Sequence, residues 1–430
     1  MAGTVQPLDT YVRRVVDTDL DDLLVGLPAI SLEGPKAVGK TATAQQRATT
    51  VYRLDDPDLL EVVRADSSRL ATGPPPILVD EWQRHPPAWD VVRRAVDQGA
   101  GPGHFLLTGS ATPSDHPTHS GAGRIVRLRI RPLTLMERGV ATPTVSLHDL
   151  LSGTRPHLEG TTSIRLDDYV TEILAGGFPG MRTPVKRVQR AALDGYIDRI
   201  VDTDLPELGI EIRRPATLRR WLTAYAAATA TSASYEKIRD AATAGEGQKP
   251  AKTTTIPYRE ALERIWVLEP LAAWAPTHNH LSRLVHAPKH HLADPALAAR
   301  LIGIGREALL SGHGPSAHPR DGTFLGSLFE SLTTLEVRVF AQAADARVFH
   351  FRTKGGAREI DLIIERDDGH IVAIEVKLSA IVDDDDVTHL HWLHQRLGDQ
   401  LLDAVVVTTG QHAYRRSDGI GVVPLALLGP

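Results

Sequence analysis

Through the first third of the chain, short apolar runs alternate with stretches whose apolar positions recur at helical spacing. Ala29 to Leu32 leads into a glycine-bounded loop, Tyr52 to Leu54 into Asp55, Asp56 and Pro57, and Ile77 to Val79 into Asp80 and Glu81. Phe105 to Leu107 leads into Thr108, Gly109 and Ser110. Between these runs, Leu59, Leu60, Val62 and Val63 mark a helix from Asp58 to Leu70, and Trp89 to Val96 marks another. Val12, Val15, Val16 and Leu20 give a lead-in helix. Strands alternating with helices at this spacing predict a parallel sheet whose ligand lies at the carboxyl ends of the strands.

The pattern then changes. From Thr142 to Ser163, Pro, Gly, Thr and Ser mark a linker or irregular insertion. A helix over Tyr169 to Leu174 ends at the turn Gly176 to Pro179, and a long helix runs from Val185 to about Asp202. Three helical segments, Thr217 to Ala228, Tyr235 to Ala242 and Pro257 to Leu268, surround a break at Gly245 to Gly247, as in a helix-turn-helix or winged helix. Further on, a helix over Phe324 to Phe340 precedes a strand at Arg347 to Arg352, a hairpin around Asp367, Asp368 and Gly369, a helix from Val387 to Leu397 and a strand at Ala404 to Thr408.

At 430 residues, a prior of about 150 per domain suggests three domains. The absence of cysteine excludes disulfides, zinc–thiolate centres and thiol catalysis. A net charge of −5 argues against an all-over basic nucleic-acid coat while leaving room for a local basic groove. No apolar run reaches membrane-spanning length and the N-terminus has no signal-peptide core, so a cytoplasmic protein is expected.

The first chemical signal lies in the loop after Leu32, which reads Gly34, Pro35, Lys36, Ala37, Val38, Gly39, Lys40, Thr41. Strand, glycine-bounded loop and helix are the context of a phosphate-binding P-loop, in which backbone N–H groups converge on an anion. Lys40 is placed to reach the β- and γ-phosphates and the Thr41 hydroxyl to ligate Mg²⁺. Asp80 would orient that ion and Glu81 would polarise the attacking water, while Thr108 and Ser110 are candidate γ-phosphate sensors. Gly123 to Arg131 alternates arginine with aliphatic residues, and Arg124 is the first choice for an arginine finger acting within the chain or on a neighbouring subunit.

The second signal is the hairpin. Pairing Glu365 with Ile371 sets Asp361 opposite Glu375, with Cβ atoms about 5 Å apart, and puts Lys377 on the same face. Leu362, Ile364, Val372, Ile374 and Val376 face a core. Two opposed carboxylates repel unless a cation neutralises them. A divalent cation would do so for Asp361 and Glu375. An acid followed by Glu-x-Lys on the next strand resembles the restriction-endonuclease-like, PD-(D/E)xK, nucleases, and that resemblance implies Asp361 and Glu375, with the Val376 carbonyl, as ligands of Mg²⁺ or Mn²⁺ and Lys377 as the catalytic residue that positions or activates water. A bland alternative is a structural Glu359–Lys377 ion pair beside an incidental acidic pair. His278, His280, His286, His290 and His291 lack metal-site spacing and are expected at the surface.

Together these motifs resemble a prokaryotic family of AAA-like P-loop ATPases with a winged-helix-like middle region and a C-terminal restriction-endonuclease-like, PD-(D/E)xK, module. The resemblance runs through nearly the whole chain; Lys36 stands where the family often has Arg, and Trp82 where a small aliphatic residue is usual. It implies an α/β protein of three parts: a P-loop ATPase domain at 1–140, a helical, winged-helix-like region at 141–300 and a nuclease-like domain at 301–430. It also implies ATP with Mg²⁺ as cofactors, and Glu330 matches an acid that such nuclease folds often carry. Duplex or branched DNA is the expected partner, met through Arg213, Arg214, Arg219, Arg220, Lys249 and Lys252, with homo-oligomers possible. The expected function couples Mg-ATP hydrolysis to DNA binding, remodelling or cleavage; the alternative is an ATP-binding regulatory switch whose nuclease-like module only binds.

Overall fold

The computed structural model describes residues 11–110, 122–183, 185–207, 210, 212, 214–243, 252–275, 287–311, 321–353 and 355–430, with backbone only at 252–254 and 321–323. Its first sheet comprises β1 (Ala29–Glu33), β2 (Thr50–Arg53), β3 (Ile77–Asp80), β4 (Phe105–Gly109) and β5 (Val126–Arg129) in the order β2-β3-β4-β1-β5. Every pairing is parallel. Apolar side chains alternate between its two faces. Ile30, Leu32, Leu78 and Leu106 pack with Val16 and Leu20 of α1 (Val15–Gly26) and Ala44 of α2 (Lys40–Gln45). Ala29, Val79, Phe105 and Leu107 pack with Val63 of α3 (Pro57–Ala65) and Trp89 and Val92 of α4 (Pro87–Asp97). Burial on both faces explains why these strands read as continuous apolar runs. Because all five strands point the same way, the loops after β1, β3 and β4 emerge along one edge.

The second sheet is mixed. Strands β6 (Val145–Ser146) and β7 (Gly160–Thr161) come early, followed by β8 (Arg347–Arg352), β9 (Glu359–Glu365), β10 (Ile371–Val376), β11 (Leu401–Thr408), β12 (His412–Arg415), β13 (Gly421–Pro424) and β14 (Leu428–Gly429). Seven of them run in the order β7-β12-β13-β11-β10-β9-β8, and β6 pairs with β14 apart from the rest. The β9–β10 register, Ile371 to Glu365 through Ile374 to Leu362, is the one predicted for the hairpin. The stretch 142–163 is not a plain linker. Its polar residues interrupt two short strands that hydrogen-bond to β14 and β12, held between by the helix Leu147–Leu151.

The described residues of the middle region form helices joined by isolated β-bridges. The break at 245–247, and with it the expected wing, lies outside the described residues. Leu218, Trp221 and Tyr225 of the helix Pro215–Ala227 share one hydrophobic core with Leu328, Phe329 and Leu332 of the 23-residue helix Asp321–Ala343 and with Leu362 and Ile374 of the second sheet. The helix Lys186–Arg199 continues into a π-helical turn, Ile200–Asp204.

Candidate nucleotide-binding site and C-terminal acidic centre

The loop after β1 is shaped by backbone constraints. A Cβ at Gly34 would run into the Ile130 carbonyl, and Gly39 holds φ at +103°, a conformation that L side chains rarely adopt. Buried Lys40 turns back into this loop, its Nζ donating to the carbonyls of Gly34 at 2.9 Å and Pro35 at 2.8 Å. Burial lowers its pKa to about 8, against the opposing pull of Glu81 and Asp80, with Arg129 and Lys36 adding to the decrease. A buried ammonium whose hydrogen-bond partners are neutral carbonyls is a seat for an anion.

Opposite it, the Thr41 hydroxyl donates to Asp80 Oδ1 at 2.7 Å, and the Thr108 hydroxyl donates to the same oxygen. The Glu81 amide donates to Thr108 Oγ1 at 3.2 Å, so Thr108 joins the two acids across β4. Ser110 donates to Glu81 Oε1 at 3.3 Å, and the Gln83 amide donates to Glu81 Oε2. Gln83 was invisible to motif reading because it lies beyond the Asp-Glu pair. Trp82 packs against Trp89 with ring centroids 4.8 Å apart and the planes tilted by 39°, and it lies against Gly109, where any Cβ would meet its ring nitrogen.

Lys40, Thr41, Asp80, Glu81, Thr108 and Ser110 thus converge at one edge, and the hydroxyl of Thr41 with the carboxylate of Asp80 forms a hard oxygen set that suits Mg²⁺. Bound there with a nucleotide, the ion would neutralise charge on the β- and γ-phosphates. Because phosphate favours the charged form of Lys40, nucleotide affinity is expected to weaken as pH rises through about 8, where the free protein loses that proton. Titration of ATP binding from pH 7 to 9.5 checks this; Lys40→Arg should flatten the profile.

Arg124 does not join the site. It precedes β5, at the opposite edge of the sheet, and its Nε pairs with Asp97 at 2.8 Å. The parallel direction of β5 excludes it from its own chain's nucleotide. Arg129, at the other end of β5, pairs in register with Glu33 just before the loop and stacks on Trp266 at 3.9 Å. Two further contacts escaped motif reading. Arg14 buttresses the loop from behind, donating to the carbonyls of Val38 at 3.2 Å and Arg131 at 2.6 Å and pairing with Glu137 at 3.0 Å. Lys36, inside the loop, reaches out to buried Asp204 at 2.6 Å and to Glu207 at 3.2 Å.

The C-terminal hairpin brings together the expected acids with one unforeseen partner. The Nζ of Lys289, 1 % exposed, lies 2.8 Å from Glu330, 2.8 Å from Asp361 and 3.0 Å from Glu359. Burial alone would lower its pKa, but Asp361, Glu330 and Glu359 together raise it well above the ordinary value, so it is charged. Burial and then the Asp361 charge push Glu375 well above the usual carboxylate range. Val376 meets Asp361 through its amide, 2.9 Å from Oδ2. Lys377 lies on the rim, 3.9 Å from Glu375 and 3.8 Å from Asp386. Glu359 thus pairs with Lys289, and also with Arg352 at 3.7 Å, among its described contacts. Among the described residues, no group of three or more His, Asp or Glu side chains is disposed to hold a metal ion.

His290 and His291 are buried, not at the surface. His290 sits edge-on between Tyr225 and Tyr235 at 5.0 and 4.9 Å. His278, His280 and His286 lie outside the described residues, as do Arg213 and Lys249 and the side chain of Lys252. Arg219 is engaged by Asp198 and Asp202. Among the described residues, no helix is long and apolar enough to cross a membrane.

Comparison with known proteins gives three family matches along the chain. Residues 166–308 and 325–428 match two domains of unknown function, DUF8612 and DUF4143. Uncharacterized proteins of Mycobacterium tuberculosis and Mycobacterium bovis are each 26% identical over 421 residues, covering 96% of this chain and 83% of their own. A Walker-type ATPase of Pyrococcus abyssi is 15% identical with a TM-score of 0.38, over 68% of this chain and 96% of that one. Residues 27–138 match the AAA domain family, and this stretch holds the parallel sheet and the loop built on Lys40, so that part of the chain is similar to P-loop ATPase domains.

Proposed function

We propose that this protein is a Mg-ATP-hydrolysing switch in which the P-loop transmits its nucleotide state directly to the helical middle region. The observation that carries this reading is the Lys36 bridge. Lys36 lies between the two loop glycines, and its ammonium is held by Asp204 at the end of the π-helical turn and by Glu207 just beyond it. A polyphosphate arriving in the loop offers Lys36 competing negative charge. As Lys36 is drawn toward phosphate, Asp204 is left with Arg199 at 3.5 Å, and the π-turn loses its tie to the sheet. Single π-turns within helices frequently accompany functional sites because an alternative backbone arrangement lies nearby.

Hydrolysis in this reading rests on Lys40 for the phosphates, Thr41 and Asp80 for Mg²⁺, and Glu81 for water, with Gln83 and Ser110 holding Glu81 in place. Hydrogen exchange with and without Mg-ATP checks the coupling. The wild type is expected to change exchange across 186–207 on binding ATP, and Asp204→Asn to lose that change while retaining most turnover. No change in 186–207 of the wild type would end the proposal. DNA as the partner of the switch is tested in the same preparation, by measuring turnover with duplex, branched and single-stranded DNA.

A further inference from the structure

Four carboxylates gather at the C-terminal centre: Glu330 from the long helix, Glu359 and Asp361 from β9, and Glu375 from β10. Such a group cannot be buried together without a positive charge among them. That charge comes from within the chain. Lys289 arrives from a segment outside the hairpin and outside the long helix, and its Nζ makes three contacts of 2.8 to 3.0 Å, one to each of three carboxylates. Two of its N–H donors bond Glu330 and Asp361, and Glu359 is held beside them as an ion pair. The Val376 amide and Glu375 satisfy the rest of Asp361.

Lys289 is also not a lid. Its backbone is locked to Leu271 in both directions, N–H to carbonyl at 3.0 Å and carbonyl to N–H at 2.8 Å. On one side, His350 bonds the Ala287 carbonyl at 3.0 Å, and on the other the His290 amide donates to Thr231 at 2.9 Å. Mg²⁺ would need these oxygens at about 2.0–2.1 Å around an octahedral centre. The same oxygens instead stand at hydrogen-bond distance around a nitrogen.

We infer that Lys289 is the resident cation of this centre: its ammonium takes the place that a divalent ion would hold, and the C-terminal module is clasped to the middle region without a metal. Glu330, Asp361 and Glu375 then serve as counterions and their hydrogen-bonded neighbours, and Lys377 on the rim has no metal-bound water to act on. This goes beyond the ATPase reading and does not depend on it.

The test uses the full chain, free of nucleotide, in an Asp80→Asn background that removes the P-loop's own acid. Mn²⁺ alone is the probe, followed by electron paramagnetic resonance and by Tm. With Lys289 present, no saturable Mn²⁺ binding and no rise in Tm are expected. Lys289→Ala is expected to gain one Mn²⁺ site, with Tm rising by about 5 °C, and Asp361→Asn in that variant to abolish it. Should Lys289→Ala fold only when Mn²⁺ is supplied, the interchange of the two cations is shown more directly. Mn²⁺ binding by the Lys289-containing protein that Asp361→Asn removes would overturn the inference. So would a folded Lys289→Ala protein that binds no Mn²⁺, or metal-dependent DNA cleavage that disappears in Lys377→Ala.

Discussion

Replacing Glu81 with glutamine is expected to lower ATP turnover by about 10²–10⁴-fold, the range that a positioned general base supplies, while leaving nucleotide binding intact. The expectation follows from how Glu81 is held. It stands one residue beyond β3 with φ at +55°, a left-handed backbone uncommon for a glutamate, and its two oxygens accept from Ser110 and Gln83. Glutamine keeps the shape and can keep one of those contacts, yet its amide cannot take a proton from water. Steady-state hydrolysis measured beside the binding of a fluorescent ATP analogue separates the two effects. A Glu81→Gln protein that turns over at the wild-type rate would remove Glu81 from the chemistry. One that loses binding as well would make it a structural prop of the loop.

The second large effect concerns stability. Glu269 is mostly buried beneath the ATPase sheet's edge, with Arg131 at 2.9 Å, Arg129 at 3.6 Å and Arg338 at 3.8 Å. Burial alone would raise its carboxyl pKa; the three guanidiniums overcome this and hold it well below the usual carboxylate range. Glu269→Gln removes the one charge that these cations share and is expected to destabilise the fold by about 3–5 kcal/mol. The sign of the pH dependence follows. A carboxyl depressed in the folded state contributes its stabilisation above the unfolded value, about pH 4, and loses it as pH falls through the folded value. The gap between wild type and Glu269→Gln should therefore be widest near neutrality and close in acid. Thermal unfolding from pH 7 down to pH 3 measures it, and a gap that does not change with pH would contradict the assignment.

The parts legible in the sequence were those whose cause is local. Gly34 and Gly39, the Asp80–Glu81 pair and the polar end of β4 announce themselves because a buried strand must be apolar until its last residue. The β9–β10 register followed from the turn around Gly369 and the alternation on either side of it. Arg124 was misplaced because alternation assigns a face to each residue of β5 but says nothing of which end meets the nucleotide. Lys289 could not be found: it meets Asp361 across 72 residues, and a lysine on an isolated bridge has no periodic signature. His290 and His291 failed for a related reason. Polar side chains suggest solvent, and the tyrosine rings that cover His290 come from helices 50 or more residues earlier. The strands at 145–146 and 160–161 were hidden because two-residue pairings carry no pattern of their own.

Those two short strands bear on how the molecule is made. Among the described residues, the strand partner of Val145 is Leu428 and that of Thr161 is His412, so the segment just behind the first sheet pairs with residues some 250 or more positions later. The five-stranded sheet can close while the ribosome is still working, whereas the remaining chain must hold open a long loop until β12 and β14 arrive. Contacts this distant in sequence carry a larger loop-closure cost than local ones, and slow folding of the second half is the expected result, measurable by refolding kinetics. Loss of the last few strands would leave β6 and β7 without these partners.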